Sequence, residues 1–367
     1  MSKVRAIAIY LPQFHPIKEN NEWWGNGFTE WTNVTKAKPL FKGHYQPHLP
    51  ADLGFYDLRL PEVREMQAKL AQEHGIYGFC YYHYWFNGKR ILERPFEEVF
   101  KSGKPDFPFM LCWANENWTR TWDGGDSEIL LEQNYSEEDD KQHINYLIPF
   151  FKDDRYIKID GKPVIAIYRS GILPNVEKTL QTWRNEAKKH NLDLYICNFE
   201  GKVADGEQKA FDAAVAFEPF AYLLKYSKDR GFNKLVYISE KILILLKSLF
   251  NKSFEYRGIF DYEDFVNWHM NKRIKVSYKQ FPGVSPSWDN SARKKRKYIL
   301  FKNASPRIYK KWFKHILKEF KPFSRDENLI FINAWNEWAE GNHLEPCMKW
   351  KSDYLEATKE VLDGVNE

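Results

Sequence analysis

Cysteine is scarce in this chain, and its four copies, Cys80, Cys112, Cys197 and Cys347, lack the close spacing of a metal site. Three of them sit inside apolar, strand-like runs, where a free thiol behaves as a small buried hydrophobe. That usage fits a reducing compartment, so the expected location is the cytoplasm. No G-x-G-x-x-G or P-loop pattern follows any apolar run, which excludes the common nucleotide-binding arrangements. An Asp-x-Asp metal pair is missing as well; the nearest acid pairs, Asp139-Asp140 and Asp153-Asp154, fall in helix-like or loop stretches. No run approaches the roughly 18 uncharged apolar residues of a membrane span. The opening Met1–Arg5 leads straight into a strand-like run without a signal-peptide pattern. Charge of one sign is also lacking: 55 basic and 50 acidic residues give a net +5, too small a bias to indicate nucleic acid.

Aromatic residues, by contrast, are abundant. The 14 Trp, 21 Tyr and 27 Phe make up 17% of the chain, and part of that share must be core. Trp and Tyr offer rigid flat faces with a polar edge, the surface on which sugar rings stack. A carbohydrate cleft is compatible with this excess.

Eight short apolar runs alternate with helix-like stretches: Val4–Leu11, Ile76–Tyr82, Phe107–Trp113, Pro163–Tyr168, Leu194–Phe199, Ala213–Phe217, Lys279–Val284 and Leu329–Ala334. Continuous apolar strands of this kind are covered on both faces, and strand–helix alternation with eight strands predicts one closed (β/α)8 TIM barrel. Helices are predicted over Leu60–Glu73, Glu137–Phe151, Asn175–His190, Tyr262–Lys275, Pro306–Phe320 and Asp353–Val361. No linker or repeat interrupts residues 1–367, which read as a single catalytic domain with a helical insertion over 221–260. Within it, Lys234–Phe250 carries Leu235, Ile238, Ile242, Leu245, Leu246 and Leu249 at helical spacing with lysines interspersed. The plain reading is a packed helix of the barrel. The sharper one is a docking helix that holds the protein peripherally at the inner membrane. The basic run Arg293–Lys297 reads as a solvated loop, or as a contact for an anionic sugar, a phosphate or a membrane surface.

Active sites of such barrels form at the C-terminal ends of the strands. The chain there reads Tyr10-Leu11-Pro12-Gln13-Phe14-His15 after the first run and Tyr82-His83-Tyr84-Trp85-Phe86 after the second. The third ends Trp113-Ala114-Asn115-Glu116-Asn117-Trp118, and the fifth and sixth reach Glu200 and Glu218. The seventh leads to Trp288-Asp289-Asn290, and the eighth to Trp335-Asn336-Glu337-Trp338-Ala339-Glu340-Gly341. A carboxylate, amide, imidazole or indole at seven of eight strand ends is hard to reconcile with stability alone. Glycosidic bond chemistry fits, since it needs two carboxyl groups flanking the scissile bond and no metal or other cofactor. Glu337 and Glu340 are the candidate pair. The candidate binding residues are Tyr10, Gln13, His15, His83, Tyr84, Trp85, Trp113, Asn115, Glu116, Trp118, Asp289, Trp335 and Asn336, with an oligosaccharide or polysaccharide as partner. His83, Trp113, Asn115, Glu116, Glu337 and Glu340 are expected in one cleft.

The segment WNEWAEGNHLEP (Trp335–Pro346) resembles the W-N-E-W-x-E-G-x-x-x-E-P signature of the glycoside hydrolase family 99-like, or WbsX-like, proteins. So do Tyr10–Val34, Gly78–Pro95 and Leu111–Gly124, so the likeness runs from the first strand to the last. The resemblance implies a (β/α)8 barrel related to endo-acting α-mannosidases and mannanases that cleave with retention. By motif position it implies that Glu337 takes the proton of the sugar's own 2-hydroxyl, giving a 1,2-anhydro sugar. Glu340 would then be general acid first and general base next. It also implies a setting in surface-polysaccharide or lipopolysaccharide biosynthesis. Ala339 and Asn342-His343-Leu344 depart from the mannosidase-like pattern, so mannose specificity does not carry over. The rival readings are a glycosyltransferase of the same pathway and a non-catalytic carbohydrate-binding protein.

Overall fold

A computed structural model describes residues 4–120, 125–199, 208–230, 258–272, 274, 276–294 and 298–366. Eight strand positions surround one apolar interior: β1 (Arg5–Tyr10), β2 (Ile76–Phe86), β3 (Phe109–Trp113), β4 (Lys162–Ile167), β5 (Tyr195–Asn198), β6 (Ala213–Val215), β7 in two pieces (Gln280–Phe281 and Gly283–Val284) and β8 (Leu329–Ile332). Each of β1 to β6 pairs in parallel with the next, and β8 pairs with β1. Residues such as Ile7, Ala8, Leu111, Ile165, Ile196 and Ile330 are buried, which is why these runs carry no polar alternation.

The ring closes at its weakest run. Pro282 lacks the N–H that a central strand needs, and β7 breaks there. Its first piece pairs with β6 through Ala214 and Val215, and its second with β8 through Phe331 and Ile332. Gly283 allows the close approach: a Cβ on it would lie 1.9 Å from the Ala216 carbonyl oxygen.

Helices cover the outside. Pro306–Glu319 buries Ile308, Tyr309, Trp312, Phe313, Ile316 and Leu317 as one apolar stripe. Glu137–Phe151 begins at Ser136, whose hydroxyl accepts the Asp139 amide, and Val176–Lys189 begins at Asn175 in the same manner. These helices, together with Pro61–Glu73, Tyr262–Asn271 and Asp353–Asn366, lie where the hydrophobic spacing predicts them. Others were not anticipated. Arg94–Ser102 is a further helix, and the long connection between β1 and β2 holds two short ones, Lys18–Trp24 and Glu30–Lys36, whereas Phe220–Asp229 falls in the expected helical insertion. β2 also runs on to Phe86 because its end forms a hairpin with Lys89–Ile91.

In the region of the expected insertion, Gly258–Asp261 pairs in parallel with Ile299–Lys302. The apolar segment Lys234–Phe250 and residues 295–297 of the basic run lie outside the described residues. Among the described residues no helix is long and apolar enough to cross a membrane.

Candidate active site

Glu337 lies five residues beyond the end of β8, where the chain forms a two-residue ladder: Asn336 faces His343 and Glu337 faces Asn342. The Asn336 side chain fixes this turn to the exit of β1. Its Oδ1 accepts the Leu11 amide at 2.7 Å, and its Nδ2 donates to the Leu11 carbonyl at 3.0 Å. A 3-10 turn, Trp338–Glu340, then carries Glu340 round to the same place, and Gly341 closes it with φ of +55°. A Cβ on Gly341 would lie 3.0 Å from that of Asp289, so glycine meets both the conformation and the space.

One guanidinium joins the two carboxylates. Arg293 Nη2 donates to Glu337 Oε2 at 2.8 Å, and Nη1 donates to Glu340 Oε1 at 2.9 Å. A third carboxylate shares it: Nη2 reaches Glu30 Oε1 at 2.6 Å. Glu30 is fully buried, and the same oxygen accepts the Ala339 amide at 3.1 Å, tying the helix Glu30–Lys36 to the Trp338–Glu340 turn. Burial pushes the Glu337 carboxyl well above its usual range and raises that of Glu340. Arg293 opposes this at both, and the charge of Glu30 works against ionisation of both. If all three acids were ionised around one guanidinium, two negative charges would stand uncompensated in a buried site. The pair therefore titrates as a unit that retains a proton more readily than free glutamates do.

These groups open into a cleft of about 670 Å³. Its aromatic walls are Trp24, Tyr82, Tyr84, Trp118, Tyr135 and Tyr168, with Gln13, Asn117 and Gln133 as hydrogen-bonding side chains. Burial keeps the Tyr82, Tyr84 and Tyr168 hydroxyls protonated, so each can donate to a sugar hydroxyl. Glu116 also lines the cleft and pairs with Arg169 at 2.5 Å.

Of the candidates read from the sequence, the structure brings Gln13, Tyr84, Glu116, Trp118, Glu337 and Glu340 into this cleft. The expectation that His83, Trp113 and Asn115 share it is corrected, because strand side chains alternate between faces. Tyr82 and Tyr84 of β2 face the cleft, so His83 and Trp85 turn to the helix layer. There His83 Nε2 meets His143 Nε2 at 2.9 Å, and Trp85 donates to Asp139 and stacks on His143. Trp113 packs on Trp183 in the same layer, and Tyr10 donates to Gln67 of the helix Pro61–Glu73. Asn115 bonds the Arg169 backbone through both ends of its amide. His15 is buried away from the cleft, where desolvation lowers its pKa to about 4. Trp335 is core, packed on Phe79, and Asn336 is the clasp just described. Asp289 lines a separate pocket.

Glu30 and Arg293 were missed. Glu30 sits in a connection 307 residues upstream of Glu337, inside the Tyr10–Val34 segment, with nothing in its spacing to mark it as that residue's neighbour. Arg293 opens a run of five basic residues that has the composition of a solvated loop.

A further buried carboxylate braces the turn from below. Glu345 accepts from Tyr56 Oη at 2.7 Å, Trp338 Nε1 at 2.6 Å and Gln67 Nε2 at 2.6 Å. An amide here would turn an N–H against one of these donors. Glu345→Gln is expected to cost about 1–3 kcal/mol, read as a melting temperature lowered by several degrees. Burial holds the folded Glu345 carboxyl at about 7 against a reference of 4.5. Wild-type stability from this group is therefore full below pH 4.5 and falls as pH rises towards 7. The deficit of the variant should narrow across that window.

Among the described residues no group of three or more His, Cys, Asp or Glu side chains is placed to hold a metal ion.

The fold belongs to a recognisable class. The barrel superposes with a TM-score of 0.59 on the GH99 endo-alpha-mannosidase from Bacteroides thetaiotaomicron, at 12% identity, covering 99% of this chain and 97% of that one. It matches a glycoside hydrolase-like protein with the same score at 14% identity, covering 99% and 94%. At such identities the likeness is one of fold: a glycoside hydrolase 99-type (β/α)8 barrel. Residues 6–358 match the family model described as Glycosyltransferase WbsX. The chain is also 38% identical over 359 residues to "Uncharacterized protein WxcX" of Xanthomonas campestris pv. campestris, strain B100. That alignment covers 97% of this chain and 49% of the relative, so the chain spans about half the length of the curated relatives it matches. The chain belongs to the WbsX family.

Proposed function

We propose that the protein is a retaining, endo-acting glycoside hydrolase or transglycosidase acting on a bacterial surface polysaccharide or its lipid-linked precursor. The observation that carries this reading is the pair Glu337 and Glu340, held by two nitrogens of one guanidinium at the mouth of the barrel and opening into an aromatic-walled cleft. Two carboxyl groups serving one sugar ring is what glycosidic cleavage requires.

In this mechanism Glu337 takes the proton of the sugar's 2-hydroxyl while that oxygen attacks C1. The bond from C1 to the leaving oxygen breaks, and Glu340 gives that oxygen its proton. A 1,2-anhydro sugar remains. Glu340, now ionised, takes a proton from water or an acceptor hydroxyl, whose oxygen opens the three-membered ring at C1. Glu337 returns its proton to O2, so both groups end as they began. Residues 1–367 would act as one catalytic unit in the cytoplasm.

The family description favours a second reading, a glycosyltransferase of lipopolysaccharide or capsule assembly. Incubating the purified protein with bacterial polysaccharides, with and without nucleotide sugars, separates the two. Release or exchange of glycan without a nucleotide sugar is expected; extension that depends strictly on one would establish the transferase.

A lipid-linked substrate would place the enzyme at the inner leaflet through the apolar, lysine-dotted segment 234–250. Each basic residue near anionic lipid contributes roughly 1 kcal/mol. Flotation with anionic vesicles at low salt is expected to carry the protein upward, and deletion of 234–250 to abolish this. Failure of the intact chain to float would leave the segment as scaffold.

A further inference from the structure

A second pocket of about 440 Å³ lies behind the catalytic turn. One wall separates the two: the Asp289 amide donates to the Glu340 carbonyl at 2.6 Å, and the Ser287 hydroxyl donates to the Gly341 carbonyl. The inner surface is formed by buried Trp288, His343 and Tyr354, and the half-buried Tyr45 and Trp350 stand nearer solvent. Three exposed lysines, Lys42, Lys302 and Lys349, complete the lining. These residues come from separate parts of the chain, so the pocket is a product of the fold.

Its electrostatics are one-sided. The carboxylate in the lining is Asp289, whose oxygens already accept from His44 and Gln46, both at 2.7 Å, and from the Ser291 amide at 3.0 Å. Burial works against its charge, yet these bonds hold its carboxyl below the usual carboxylate range. None of the three lysines has a carboxylate partner among the described residues. The Lys349 ammonium lies 4.5 Å from the Tyr45 ring centroid and 4.8 Å from that of Trp350. His48 and His343 meet at 3.1 Å, and burial lowers them to about 4 and about 3, so both are neutral hydrogen-bonding groups near pH 7. Flat aromatic faces, neutral imidazoles and ammonium groups without a carboxylate partner thus share one cavity.

We infer that this pocket is a second carbohydrate site, binding a sugar that bears a negatively charged substituent. The ring lies against Tyr45 and Trp350, and its carboxylate or phosphate lies at Lys302 and Lys349. Sugar rings stack on such faces, and an anion here meets ammonium groups that have no competing acid. The inference does not rest on the chemistry at Glu337.

Calorimetric titration of the full chain tests it, with a glucuronate tetrasaccharide, glucose 1-phosphate, inorganic phosphate and neutral cellotetraose as probes. At least one anionic sugar is expected to bind, more weakly as salt rises, and more tightly than both cellotetraose and inorganic phosphate. Binding of only one of the two identifies which anion the site takes. The double variant Lys302→Gln/Lys349→Gln, at exposed positions that leave the fold intact, should weaken it roughly tenfold or more. Trp350→Ala should weaken it through the ring face, and Glu337→Gln should leave it unchanged, which separates this pocket from the catalytic cleft. The inference is overturned if no anionic sugar binds, if cellotetraose or inorganic phosphate binds as tightly, or if the double variant binds as the wild type does.

Discussion

Glu337→Gln is expected to lower turnover of the natural glycan by on the order of a hundredfold or more, the scale of general acid–base catalysis. Glu340→Gln should cost a similar factor on that substrate, but the two variants should part on an activated one. A good leaving group departs without a proton, so Glu340→Gln should recover much of its first step on an aryl glycoside. Glu337→Gln should stay poor on both, because no leaving group replaces the base that ionises the 2-hydroxyl. A 2-deoxy substrate should resist even the wild type. Steady-state rates on paired substrates check this, and near-normal turnover by Glu337→Gln would overturn the assignment. The catalytic groups would then have to be sought elsewhere, at Glu116, Glu218, Asp289 or Glu200, of which the last lies outside the described residues.

Arg293→Met should be the most damaging single change in stability. It leaves Glu30, Glu337 and Glu340 buried without their shared cation, and breaking a buried pair on one side costs about 3–5 kcal/mol. The loss should depend on pH in a definite direction. Without Arg293 the folded pKa values of Glu337 and Glu340 rise further above their unfolded values. The folded state is then least penalised below the unfolded carboxylate range, and it loses stability as pH rises through the raised pKa values. Melting curves should therefore show a deficit that grows as pH rises through the raised pKa values. A deficit that shrank as pH rose would show that Arg293 does not carry the carboxylates' charge. The same change should move both limbs of the pH–rate profile upward, since it stabilises the protonated form of acid and base alike. Arg293→Lys keeps the charge but not the fork that reaches two acids at once, and should restore stability more than turnover.

The aromatic wall shows the same coupling of structure to chemistry. Tyr82, Tyr84 and Tyr168 are kept protonated by burial, so they remain donors to a sugar across the range where the carboxylates titrate. Trp338, stacked on His343 with ring centroids 3.8 Å apart and bonded to Glu345, holds the 3-10 turn on which Glu340 rides. The Trp338–Glu340 turn is thus supported by aromatic packing and by a second acid as well as by Arg293.

The sequence by itself determined the barrel, the end at which the site forms, and the Glu337–Glu340 turn as the place to look. Hydrophobic runs are local signals: each strand states its own burial, and the polar residues that follow mark the strand ends without reference to any other part of the chain. The tertiary structure decided which of those polar residues share the cleft. β2 offered Tyr82, His83, Tyr84 and Trp85 in succession, and only the orientation of the strand in the barrel sends the tyrosines inward and the other two against His143 and Asp139. It also decided what compensates the acids. Glu30 and Arg293 stand 263 positions apart, and an ion pair across that distance leaves no period in either segment that would link the two. Arg293 in sequence is the first of five basic residues and looks solvated. In the fold it is a buried guanidinium, because three carboxylates, one from a helix start and two from a distant turn, converge on it and offset the cost of its burial.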